Sequence, residues 1–383
     1  MAPFVWWGRR WAAKNPLDAE YDIFFFFPIY GLGGAEKVNA DLLDCVADKK
    51  VIIFFTRTSK ETTSLHLFQR PNVTIRDISR WTDNKLRYWD NLFYRGVCAH
   101  YINSQTKKPV VFNGQCNFAY KLFPHLQKNV LTIELIHNTN KHFAWVVFPY
   151  VPFIKKRVLV ADVHVREYGA YYDEVGIHHR YKERMQKVLY KIEAVHGSAP
   201  RTGYGDRLNV YYAGRGGTQK RVWLLVKAIE QCLERKLPVH FHLAGNFKEE
   251  LPQHILEQCT YHGQIKGGSD MAAFHQKMDV LMMASAFEGF PVVIMEAMIN
   301  GVVPVATAVD GVPEHIRHGE NGLLIQNPKD EAAVVKQLVE HIEYLCSNRE
   351  HLEQMSARAH EYASTTFSPQ RFCSSYRRLM ELD

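Results

Sequence analysis

Asp279-Val280-Leu281-Met282-Met283-Ala284-Ser285-Ala286-Phe287-Glu288-Gly289-Phe290-Pro291-Val292-Val293-Ile294-Met295-Glu296 begins apolar, turns on a glycine and ends apolar again. Asp279 to Ala284 is expected to form a short buried strand. Val292 to Asn300 is expected to form a helix, with Pro291 at its first position, where the missing N–H costs nothing. A strand, a tight glycine loop and a helix together aim backbone N–H groups at an anion. Two carboxylates, Glu288 and Glu296, stand eight residues apart in this frame. Glu288 falls at the carboxyl end of the strand. Glu296 falls inside a helix of Val, Ile, Met and Ala, where a carboxylate is costly to bury without a partner. That partner is either a core Arg or Lys or a bound ligand. Gly289-Phe290-Pro291 between two carboxylates is harder to explain as packing alone.

Working outward, the same alternation recurs on both sides. Asp22-Ile23-Phe24-Phe25-Phe26-Phe27 reads as a first buried strand, followed by Gly31-Leu32-Gly33-Gly34-Ala35-Glu36 and a helix through Val46. This turn is not the dinucleotide fingerprint, because Glu36 stands where the third glycine belongs. Further strands are expected at 51–55, 73–75, 109–112, 130–136 and 157–161, with helical stretches such as 84–101 between them. His137 lies just past one strand, at the sheet edge where open α/β folds bind ligands; its alternative role is structural. Residues 196–206 are rich in Gly, Ser and Pro and read as a linker. A second alternation follows, with strands at 208–213, 239–244, 260–261, 279–284 and 303–306 and helices over 221–235, 331–347, 351–365 and 370–382. Strands alternating with helices predict parallel sheets covered on both faces.

At 383 residues the chain is long enough for two domains. The expected division is 1–195, a linker at 196–206, a second domain at 207–365, and a last helix at 366–383 that crosses back to the first domain. Seven scattered cysteines without a C-x-x-C pair read as free thiols in a reducing compartment. No apolar run reaches the length of a membrane span, and the start of the chain does not read as a signal peptide. Residues 1–190 hold 27 Lys and Arg against 17 Asp and Glu, while residues 191–383 hold 20 against 23. The basic first half points to an anionic partner or, alternatively, to a solvated basic face. Trp6, Trp7 and Trp11 beside Arg9, Arg10 and Lys14 suit a water–lipid interface or a helix packed on the protein's own surface. The apolar run 143–154 before Lys155-Lys156-Arg157 reads as a membrane dip or a covered loop. No nucleic-acid motif is present, and nucleic acid is not an expected partner.

Several ordered motifs between 208 and 326 resemble the retaining glycosyltransferases of the glycogen-synthase-like family 4, the glycosyl transferases group 1. They are Gly214-Arg215-x4-Lys220, turn glycines Gly245 and Gly263, Ser285-x-x-Glu288-Gly289-Phe290 with Glu296, and Ala297-Met298-x-x-Gly301. Val309-Asp310-Gly311-Val312-Pro313-Glu314 and Asn321-Gly322-Leu323-Leu324 complete the set. Arg221 and Asp310 stand where the family pattern has glycines.

The resemblance implies an α/β fold of GT-B architecture, two Rossmann-like domains facing across a cleft. It implies a hexosyltransferase that moves sugar from a UDP- or GDP-sugar to a glycan or lipid-linked saccharide with retention of configuration. Its catalytic residues would be Glu288, His137, Arg215 and Lys220. Its donor-binding residues would be Gly33, Gly34, Gly263, Gly289, Phe290, Pro291, Val292 and Glu296. No D-x-D motif is present, so no cofactor or metal is expected and fixed cations would neutralise the departing diphosphate. Two alternatives share the plan, a sugar-nucleotide epimerase and a non-catalytic sugar-nucleotide-binding scaffold. The expected location is cytoplasmic, peripheral at the inner face of an anionic membrane.

Overall fold

Four consecutive phenylalanines form the middle of a sheet because both faces of that sheet are covered. Phe24 to Phe27 are fully buried in β1 (Ile23–Phe27). Around β1 lie β2 (Val51–Phe55), β3 (Val73–Asp77), β4 (Val110–Asn113), β5 (Leu131–Ile136), β6 (Lys156–Leu159) and β7 (Met185–Lys187). Their order is β3-β2-β1-β4-β5-β6-β7, and every pairing is parallel. The second sheet holds β8 (Leu208–Ala213), β9 (Val239–Ala244), β10 (Thr260–Gly263), β11 (Val280–Met283), β12 (Val303–Thr307) and β13 (Leu323–Ile325). Its order is β10-β9-β8-β11-β12-β13, again parallel throughout. The computed structural model describes residues 2–31, 33–59, 64–84, 86–137, 145–194, 196–265 and 268–382. The chain divides into two units, residues 1–189 with 370–383, and residues 190–369.

In each sheet the chain order reverses beside the first strand, between β1 and β4 and between β8 and β11. Open parallel sheets bind ligands at this switch point, outside the carboxyl ends of the strands. In the second unit that position brings the loop after β8 next to the loop after β11. One face of the second sheet packs Val210, Phe241 and Met282 against the helices Val222–Glu234 and Glu331–Ser347. The other face meets the helix Ser269–His275 through Tyr211, whose ring contacts Phe274 and His275.

Several expectations shift. The helix after Pro291 runs Val292–Ile299, and Pro291 itself is the residue before it, extended at φ −66° and ψ 123°. The strands β7 and β13 and the helix Asp162–Glu174 were not expected. Residues 196–206 fall within the second unit and, though largely exposed, are bonded to it: Ser198 Oγ donates to Asn300 Oδ1 at 3.0 Å and Arg201 Nη2 to Asp279 Oδ1 at 2.9 Å. Residues 143 and 144 of the apolar run and Leu32 of the first glycine turn lie outside the described residues. The rest of that run includes the 3-10 turn Phe148–Phe153. No helix among the described residues is long and apolar enough to cross a membrane.

The cysteine reading is corrected. Cys45 and Cys373 form a disulfide across a sequence separation of 328. The pairing arises because the last helix returns to the first unit, where Arg377 Nη1 donates to Cys45 O at 3.2 Å and to Asp48 Oδ1 at 2.7 Å. A bonded pair removes the cysteine argument for a reducing compartment. Cys98, Cys116, Cys232, Cys259 and Cys346 are free.

The first unit also encloses a charged pair. Arg157 Nε donates to Glu134 Oε2 at 2.6 Å between paired positions of β5 and β6. Tyr120 donates to the same carboxylate, and Arg157 donates to the Tyr172 hydroxyl. Burial works against the Arg157 charge, and Glu134 with the tyrosines outweighs it, so the guanidinium is held firmly protonated.

Candidate functional site

The carboxyl ends of β8, β9 and β10 are tied together by backbone. Gly214 N donates to Ala244 O at 3.0 Å, and Gly245 N to Gly263 O at 2.7 Å. Gly245 takes φ +142°, and a Cβ there would run into the Gly214 carbonyl, so only glycine lets the two loops touch. Tyr261 Oη closes the corner by donating to Gly245 O at 2.5 Å.

The loop after β8 is then fastened to the loop after β11. Ala286 N donates to Gln219 O at 2.8 Å, and Gln219 Nε2 donates to Phe287 O at 3.0 Å. Arg221 sits in the left-handed region at φ +51°, the conformation that a glycine adopts most easily. Its buried guanidinium donates to Ala284 O (2.6 Å), Ser285 O (3.0 Å) and Pro328 O (2.7 Å). Arg221 is therefore a brace for the loop. The neighbouring side chain, Lys220, points to the site instead and forms an ion pair with Glu288. Glu288 is buried, and its backbone N–H donates to Asp310 Oδ2 at 2.5 Å. Gly311 N donates to Gly289 O at 3.1 Å, which fixes the far side of the same loop.

Other expected residues fall as follows. Arg215 is exposed, and its carbonyl accepts from Tyr212 Oη at 2.6 Å. Burial, then the carboxylates of Glu288 and Glu250, push the Tyr212 hydroxyl well above its ordinary range, so it stays a neutral donor. Phe290 is buried, its ring 4.3 Å from His315 and 5.5 Å from Phe367, so the side chain anchors the loop from inside. Gly263 takes φ +63° at the end of β10. Val292 opens its helix, and Glu296 lies one turn on, half-buried. Among the described residues His275 Nε2 stands 3.7 Å from Glu296 Oε2, and His275 Nδ1 is bonded to Tyr211 Oη at 2.7 Å.

The remaining candidates belong to the first unit. Gly33 is extended at φ −162° and precedes the helix Gly34–Asp44, with the Glu36 carboxylate turned back on it. His137 follows β5, and its backbone N–H donates to Gln115 Oε1 at 3.4 Å. Burial lowers its imidazole to about 4, which keeps it neutral near pH 7. Among the described residues no group of three or more His, Cys, Asp and Glu is placed to hold a metal ion.

Three residues at the site escaped the sequence reading as participants. Glu250 Oε2 accepts from Gly217 N at 3.1 Å and so reaches the loop after β8. Asp310 was noted only as a departure from a glycine; at φ +44° it seats Glu288. His275 stands beside Glu296, 3.7 Å from its carboxylate. Nothing in their local sequence marks them, because each acts across at least 20 residues of chain.

With this geometry in view, residues 207–343 match the family model described as Glycosyl transferases group 1. The matched segment contains Arg215, Lys220, Glu288 and Glu296, and leaves out Gly33, Gly34 and His137. An uncharacterized 41.2 kDa protein in the cps region of Klebsiella pneumoniae is 27% identical over 172 residues, covering 45% of each chain. N-acetyl-alpha-D-glucosaminyl L-malate synthase of Bacillus anthracis is 29% identical over 123 residues, 32% of this chain and 30% of the relative. The matched stretches thus span less than half the length of these curated relatives. The crystal structure of Anabaena HepE in complex with UDP and glucose superposes with a TM-score of 0.73 at 16% identity, covering 94% of this chain and 99% of that one. At that identity the likeness shows the fold alone, an α/β fold with two parallel sheets that match the GT-B architecture.

Proposed function

We propose that this chain is a retaining family 4 hexosyltransferase that moves sugar from a UDP- or GDP-sugar to a glycan or lipid-linked saccharide without a divalent metal. The observation that carries the reading is the Lys220–Glu288 pair, set at the switch point of the second sheet with Arg215 one loop turn away. When the donor's sugar–oxygen bond breaks, negative charge grows on the departing diphosphate. Fixed cations placed there in advance lower that barrier. Arg215, Lys220 and the positive end of the helix Val292–Ile299 would supply them. Glu288 would hold Lys220 until a diphosphate competes for the ammonium, and would then face a donor-sugar hydroxyl.

Glu296 would accept the ribose hydroxyls, with His275 beside it. Gly263, Gly289, Pro291 and Val292 would let the nucleotide and diphosphate approach the backbone. From the first unit, neutral His137 would bond the donor sugar, and Gly33 and Gly34 would admit the diphosphate or acceptor. The UDP bound in the Anabaena structure favours uridine over guanine. The basic charge of residues 1–190 supports an anionic membrane surface as a partner of the first unit.

The test is a thermal-shift panel of nucleoside diphosphates and nucleotide sugars on wild type and Glu296→Ala. A ligand at 100 times its dissociation constant adds about 2.7 kcal/mol of stability. The expected result is a rise in Tm with one diphosphate, absent in the variant. No rise with any nucleotide would overturn the reading.

A further inference from the structure

We propose that the outward face of the helix Ala2–Lys14, together with the start of the helix Tyr88–Asn103, docks on an anionic lipid surface. This deepens the membrane part of the proposed function and is independent of the chemistry at Lys220. The first helix is held rigidly on the second. Gly8 and Gly96 meet at the crossing, and a Cβ on either would strike backbone of the other helix, at Phe93 O or Val5 O. Val5, Gly8 and Ala12 are the buried positions. At about 100° per residue, Trp6, Arg10, Lys14, Trp7 and Trp11 then fall on the opposite side, within an arc of roughly 140°.

That side is both aromatic and cationic. Trp6 and Trp7 are each 51% exposed and Trp11 44%. Trp89, at 57%, continues the surface on the second helix, where Phe4 stacks on it at 4.8 Å. Of twelve large apolar residues exposed among the described residues, six lie on or beside this helix pair, so the exposure is concentrated here. The guanidinium of Arg10 lies 4.4 Å from the centre of the Trp6 ring. The first helix contains no acidic residue. Asp90, at the start of the second, is paired with Arg87 at 2.9 Å.

Indoles flanked by cations suit the boundary between headgroups and acyl chains. A helix of 13 residues, about 20 Å long, cannot span and would lie flat. A second copy is a poor occupant, because a two-fold contact would bring this net-cationic face, whose first helix has no acid, against itself. An anionic bilayer complements it in charge and receives the indoles.

The experiment is co-sedimentation of the full chain with vesicles of phosphatidylcholine alone and of phosphatidylcholine mixed with phosphatidylglycerol, with tryptophan emission read on the same samples. Binding only to the mixed vesicles, with a blue shift, is expected. Arg10→Glu with Lys14→Glu should weaken it at least about tenfold, since each basic residue near an anionic surface contributes about 1 kcal/mol. The triple variant Trp6→Ser, Trp7→Ser, Trp11→Ser should lose the blue shift. An unchanged nucleotide thermal shift in both variants checks their fold and keeps the donor-site reading separate. Wild-type binding that both variants retain overturns this face and leaves another anionic-membrane contact standing. No binding to the mixed vesicles, or equal binding to neutral ones, overturns both. Concentration-dependent self-association that the variants abolish, without vesicle binding, assigns the face to a second copy and overturns the proposal.

Discussion

Each unit carries one conspicuous carboxylate–cation pair, and the two pairs are built for different ends. Glu134 and Arg157 face each other across adjacent strands of the first sheet, with side chains 0% and 2% exposed. Tyr120 and Tyr172 each take one further bond of the pair, while Arg157 Nη2 is buried without a hydrogen bond among the described residues. Lys220 and Glu288 join two loops beyond the strand ends of the second sheet, with side chains 14% and 8% exposed. Tyr212 is there too, but its hydroxyl is committed to a backbone carbonyl. A sealed pair acts within the core. A pair at the switch point, backed by braces such as Arg221 and Asp310, holds a cation at the strand ends, which under the proposed function a diphosphate would take over. The difference lies in which neighbours surround the charges, since the residue types are nearly the same.

The sharpest break of this comparison is Arg157→Ala. Leaving Glu134 buried without its cation should cost about 3–5 kcal/mol of stability, read by urea unfolding. A loss below about 1 kcal/mol, the range of surface pairs, would show that the first pair is not sealed. Next is Lys220→Ala, which should lower the rate of sugar transfer by about 10²–10³ while changing Tm much less than Arg157→Ala. A large fall in Tm with an unchanged rate would make the second pair structural like the first. The smallest effect belongs to Asp48, an exposed counterpart of both. Arg377 holds its carboxyl below the usual value, at about 2 against 3.8. A depressed carboxylate stabilises the fold above pH 3.8 and loses that contribution as pH falls toward 2. Asp48→Asn should flatten this acid limb by less than about 1 kcal/mol, measured as stability against pH. A larger change would place Asp48 among the sealed groups.

The second unit was more legible in the sequence than the first because its loops carry short, ordered signatures. Gly214-Arg215-x4-Lys220 and Glu288-x7-Glu296 each lie within one strand–loop–helix step, so spacing alone located them. The four phenylalanines of β1 announced a covered parallel sheet for the same local reason. What escaped depends on distant partners. Leu323–Ile325 is only three residues long, and it becomes a strand by pairing with β12. The surroundings of Glu296 include His275, which arrives from another helix. Pro291 stops just short of its helix because the loop must stay extended until Val292. Residues 196–206 have a linker's composition, yet Arg201 binds them to Asp279.

The bond between Cys45 and Cys373 turns most of the polypeptide into a covalent ring. The whole second unit lies on the arc between the two sulfurs, 328 residues apart in sequence. A single proteolytic cut anywhere on that arc therefore does not release a fragment. The two pieces travel together on a denaturing gel and separate only once reductant opens the ring.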